Sequence, residues 1–183
     1  MEENQYVYVV LQHSGSATAK FLRAMTKDEF THVSLSFDPT LNEMYSFARR
    51  SMIVPFYAGF TQESKDKGLL KKYKDSKIQV LKLQADPEKL ENLKKTIAEM
   101  YAHKRQYKYS FKGVIMAYFN KEYPRDHYFY CSEFVKKMLV ENDIVKEGIL
   151  PPVTKPIDFQ KIEELDGVEV VYTGRLDQYV PEM

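Results

Sequence analysis

Residues 31–37, THVSLSF, alternate without a break. Val33, Leu35 and Phe37 fall on one side, and His32, Ser34 and Ser36 on the other. A period of two is that of a strand with one buried face. DPTLN, which follows, carries turn chemistry, and EMYSFAR returns as a partner strand. The stretch therefore reads as a β-hairpin whose apolar face must be covered by other elements.

The rest of the chain supplies them. QYVYVVL (Gln5 to Leu11), KIQVLKLQ and VEVVYTG are short, β-branched or aromatic runs that read as strands. SATAKFLRAM reads as a short helix with Ser16 as its N-cap. A sharper helix start lies at Asp86, Pro87 and Glu88, after which Leu90, Leu93, Ile97 and Met100 recur at helical spacing. YSFKGVIMAYF reads as a second, more buried helix, CSEFVKKMLVEN as a third, and IDFQKIEEL as a short one after the proline-rich ILPPVTKP. MIVPFYAGFTQESKDKGLLKKYKDS reads as an excursion with a solvated basic face. Strands come early and again late, with helices between and no repeat or linker. The expectation is one α+β domain spanning residues 1–183.

Composition narrows the function classes. The chain has 183 residues with 27 basic and 26 acidic side chains, for a net charge of +1, which argues against a protein that tracks nucleic-acid phosphates. Its 14 Tyr and 11 Phe supply ample core area, arguing against disorder. No stretch is apolar for long enough to span a bilayer as a helix. MEENQYVYVVLQHS has no basic leader, so no signal peptide is expected and the expected location is cytoplasmic. A single cysteine fits a reducing compartment. The histidines lack metal-ligand spacing and there is no glycine-rich phosphate loop, so neither a metal nor a cofactor is expected.

Two residues carry candidate chemistry. Cys131 opens its helix, and Phe134, Val135, Met138 and Leu139 continue its stripe, as they would for a packed core thiol. Its position also suits a nucleophile, because helix N-termini favour thiolates and hold developing oxyanions. On these residues alone the packed thiol is the favoured reading. His32 lies on the polar side of its strand, where an isolated histidine is normally a surface group; as a base it would have to meet the cysteine. An orienting third group is sought on the returning strand, where Ser46 to Ala48 lie beside His32. Ser46 is the nearest polar candidate, whereas Glu43 is chemically stronger but sits at the hairpin tip. Tyr45 and Arg49 flank the hairpin as pocket or packing residues.

The order THVSLSFD, NEMYSFARR, YFYCSEFV and PPVTKPIDF resembles the circularly permuted branch of the NlpC/P60 papain-like superfamily, and within it the YiiX/YaeF-like permuted papain amidases. The resemblance runs from the first strand to the last. It implies a permuted papain-like fold, with an antiparallel barrel-like sheet packed on helices. It implies Cys131 as nucleophile and His32 as general base, with Ser46 at the third position, and so reverses the order of the two readings of Cys131. The implied activity is that of a cysteine amidase or peptidase. Acyltransferase relatives with the same order imply the alternative of a thiol acyltransferase or lipase on lipid esters. A catalytically inert binding shell is the third alternative. The expected partner is a small-molecule, peptide or lipid substrate bearing an amide or ester. The residues leave the substrate and the oligomeric state open.

Overall fold

The structure, a computed structural model, describes residues 6–13, 28–51, 54 and 57–181. The helix expected at SATAKFLRAM lies outside them. The chain is α+β. Its elements run β1 (Tyr6–Gln12), β2 (His32–Ser36), β3 (Met44–Arg49), β4 (Ala58–Glu63), α1 (Gly68–Lys72), β5 (Lys77–Gln84), α2 (Pro87–Ala102), β6 (Lys108–Tyr109), α3 (Phe111–Tyr118), β7 (Tyr128–Phe129), α4 (Cys131–Glu141) and β8 (Val168–Arg175). Short 3-10 turns at Pro156–Ile162 and Leu176–Gln178 flank β8. Among the described residues no helix is long and apolar enough to cross a membrane.

One sheet holds the strands in the order β7-β6-β4-β3-β2-β1-β5-β8. It is antiparallel except where β6 meets β7. The ladder runs in a single line from β7 to β8, an open sheet rather than a closed barrel. β1 lies between β2 and β5, which is why nearly every one of its residues is buried.

The hairpin expected from THVSLSF is present as β2 and β3, paired through Leu35 with Tyr45 and Ser36 with Met44. The stretch read as a basic excursion instead contains a strand, β4, which pairs with β3 from Met44–Glu63 to Arg49–Ala58. Only Phe60 in AGFTQE is large and apolar, so the pairing comes from the neighbour and not from alternation. Phe60 is fully buried opposite Phe47 and fixes the register. A one-residue slip would turn Glu63 to the other face of the sheet.

The helices form for local reasons. Asp86 Oδ1 accepts from the Glu88 N–H at 2.9 Å, and Pro87 occupies the first turn. Leu90, Leu93, Ile97 and Met100 are the buried residues of α2, as their spacing predicts. Ser110 Oγ caps α3 by accepting from the Gly113 N–H at 3.2 Å. That helix was expected to be more buried, but it buries only Gly113 and Ala117 and leaves Phe111, Ile115 and Phe119 exposed. Its apolar residues outnumber the positions that face the core.

The main core lies between one face of the sheet and helices α2 and α4. Phe134 of α4 sits at its centre, fully buried, with ring centroids 5.4 Å from Phe47 and 5.2 Å from Phe60. A second cluster, including Tyr8, Val10, Met44, Ile78 and Val80, covers the opposite face. Because Phe134 joins α4 to β3 and β4 at once, Phe134→Ala is expected to lower stability by about 3–5 kcal/mol, the usual cost of a phenyl-sized cavity. Urea denaturation of native and variant protein measures it; a loss under about 1 kcal/mol would contradict this placement.

Candidate active site

His32 is the first residue of β2 and Cys131 the first residue of α4. Alternation directs His32 away from the core face on which Cys131 packs. The two nonetheless meet because each stands at the open end of its element, and α4 packs on β2 and β3. The Cys131 thiol is near enough to the imidazole to help hold its pKa up. The polar contacts of the ring are at Nε2, which lies 2.9 Å from Glu63 Oε2 and 3.3 Å from Ser34 Oγ. With Nε2 engaged by the carboxylate, Nδ1 is the ring nitrogen left to exchange a proton.

Glu63 reaches this position from the end of β4, two strands away from β2. Its Oε2 also accepts from Ser34 Oγ at 2.8 Å. The side chains of His32 and Glu63 are 13% and 12% exposed, so solvent screens the pair weakly. Burial pulls the His32 pKa down, but the Glu63 carboxylate, its hydrogen bond and the nearby Cys131 thiol prevail and hold it well above the ordinary value. Burial pushes Glu63 up, and the imidazolium with the His32 and Ser34 hydrogen bonds brings it below the usual carboxylate range. The third group is therefore a carboxylate rather than a serine hydroxyl.

Ser46, expected to orient the histidine, does not touch it. Its hydroxyl donates to the Val33 carbonyl at 2.7 Å, filling a place in the short β2–β3 ladder that a backbone N–H would otherwise fill. Glu43 stays at the hairpin tip, where Tyr45 Oη donates to its carboxylate. Tyr45 packs in the core against Phe60, while Arg49 lines a second pocket that Glu63 also walls. Among the described residues no group of three His, Cys, Asp or Glu side chains is arranged to hold a metal ion.

Cys131 is only 6% exposed and is reached through a cleft. The cleft is narrow, with a volume of about 60 Å³, and is walled mainly by Phe30, Tyr109, Val114, Tyr118, Tyr130 and Pro156. Tyr109 is close enough to Cys131 that burial, and after it negative charge on the thiol, drive its hydroxyl pKa upward, so the phenol stays a donor. Glu133, two residues along α4, accepts from the Tyr130 N–H at 3.3 Å, and burial pushes its carboxyl up to about 7. Sequence reading missed Glu63, Ser34 and Tyr109. Of these, only Ser34 carried a signal, since it shares the strand face of His32.

No protein-family model, curated protein or solved structure matches the chain. The side chains themselves make a titration prediction. Glu63→Gln removes the charge that offsets burial, so the His32 imidazole is expected to titrate well above pH 6.5 in the native protein and below it in the variant, as read by its ring-proton NMR shifts. The stability contribution follows the same signs. The raised His32 pKa contributes fully below its unfolded value of about 6.5 and fades as pH rises through the folded value. The lowered Glu63 pKa contributes fully above about 4.5 and fades as pH falls through its folded value. The native-to-variant gap in denaturation midpoint should therefore be widest between about pH 4.5 and 6.5. A gap independent of pH would contradict the pairing.

Proposed function

We propose that the protein is a cysteine hydrolase of the amidase or peptidase kind, built on a circularly permuted papain-like fold. The observation that carries this reading is a weakly solvated imidazole held by a carboxylate at 2.9 Å and lying near the chain's only cysteine. A core thiol needs no such neighbour. The chain order, with the histidine strand before the cysteine helix, supports the permuted arrangement.

In the reaction, His32 accepts the Cys131 proton on Nδ1 while Glu63 holds the ring and stabilises the imidazolium. The thiolate attacks the substrate carbonyl carbon, and the carbonyl electron pair moves to oxygen. First-turn N–H groups of α4, which lack acceptors within the helix, face the developing oxyanion together with the Tyr109 hydroxyl. As the intermediate collapses, the bond to the leaving amine or alkoxide breaks and His32 returns its proton to that group. Water, deprotonated by His32, then attacks the thioester and releases the acid and the free thiol. The narrow, mostly apolar cleft favours an acyl group with a small aliphatic substituent.

A second reading, a thiol acyltransferase or lipase acting on lipid esters, is favoured by one feature. The helix that walls the cleft with Val114 and Tyr118 exposes Phe111, Ile115 and Phe119, four residues apart, on its outer side. Such a stripe suits an apolar surface.

Turnover of p-nitrophenyl acyl esters and peptide p-nitroanilides, with and without detergent micelles, separates the two. The amidase reading predicts anilide cleavage indifferent to detergent, and the lipid reading predicts ester turnover that rises with it. Under either reading Cys131→Ala abolishes turnover and the acyl adduct seen by mass spectrometry. Tyr109→Phe is expected to lower kcat about a hundredfold, the scale of one oxyanion donor, with little change in KM. Full turnover in Cys131→Ala would refute both.

A further inference from the structure

Glu63 forms part of a second pocket, of which Cys131 is no part. This pocket is open to solvent and has a volume of about 590 Å³, more than an inorganic ion needs. Three cationic side chains, Arg49, Arg50 and Lys67, line it, together with the polar Asn42, Thr61 and Gln62. Glu63 is the carboxylate in the wall, and its Oε2 is already engaged by His32 and Ser34. The pocket is therefore positive on balance.

Two of the cations differ in how they are held. Arg50 is fixed by its own contacts: Nη2 donates to the Phe60 carbonyl at 2.7 Å and to the Lys104 carbonyl at 2.9 Å. It crosses Gly59, where an added Cβ would stand 2.9 Å from Nη2, so the absence of a side chain there keeps Arg50 in place. Arg49 is the reverse case. Its Nε is buried and has no hydrogen-bond partner. A buried guanidinium N–H without an acceptor is costly, and such a group is normally satisfied by something.

We propose that this pocket binds a phosphate group carried by a small molecule, with Arg49 as its central donor. A phosphate carries enough charge to answer several cations and enough oxygens to accept from more than one of them. The surplus volume accommodates the organic part that bears it. The pocket shares Glu63 with the imidazole but is lined by neither His32 nor Cys131, so phosphate binding is read independently of thiol turnover.

Isothermal titration with inorganic phosphate, at ionic strength held constant with chloride, measures the site in the full chain. Saturable binding is expected in the native protein and, unchanged, in Cys131→Ala. Arg49→Gln is expected to weaken it roughly tenfold or more, the scale of one charge-assisted hydrogen bond, and Lys67→Gln several-fold. A phosphate monoester such as glycerol 3-phosphate should bind at least as tightly as the free ion. No saturable binding at millimolar phosphate would overturn the proposal, as would equal affinity in Arg49→Gln. Should Arg49→Gln fail to fold, unchanged affinity in the exposed Lys67→Gln variant overturns it in the same way.

Discussion

The contact of 2.9 Å between His32 Nε2 and Glu63 Oε2 joins two groups that burial would separately strip of charge. Left alone, the imidazole would lose its proton and the carboxyl would gain one. Together each keeps the other ionised, and the Ser34 hydroxyl satisfies a further lone pair of the carboxylate. Removing either partner leaves an uncompensated charge in a weakly solvated place. The orientation of the ring follows from this pair.

The pair in turn depends on the register of β4. Glu63 is not near His32 in sequence; the two are 31 residues apart, on strands separated by β3. Phe60, opposite Phe47 and against Phe134, locks β4 so that Glu63 pairs with Met44 and extends toward β2. The aromatic core and the polar site are thus one construction. Phe134 lies on the same helix as Cys131, three residues on, so the packing that sets the strand register also sets the helix that carries the thiol.

Much of this was legible from residues 31–37 and 131–142. The strict alternation located β2 and its hairpin, the stripe from Cys131 to Leu139 located α4, and Asp86 with Pro87 located the start of α2. Glu63 was not legible. It ends a strand of only modest apolar character and enters a run of Ser, Lys and Asp that reads as a solvated surface. Strand pairing across sequence distance decided its role, and periodicity does not encode pairing. Ser46 failed as the third group for a related reason. Its position was near enough, but an unfilled backbone carbonyl at Val33 claimed its hydroxyl. Tyr109 was hidden because a two-residue strand, Lys108–Tyr109, has no pattern of its own.

The central claim is that Cys131, His32 and Glu63 act as one coupled unit. The rate of Cys131 alkylation by iodoacetamide, followed across pH 5 to 9 in the native protein and in His32→Ala, tests it most directly. The account predicts that alkylation of the native thiol depends on the imidazole. It predicts that His32→Ala slows alkylation by roughly tenfold or more, a change worth about 1.4 kcal/mol. Alkylation that follows an ordinary thiol profile and is unchanged by His32→Ala would make Cys131 a core residue and contradict the account.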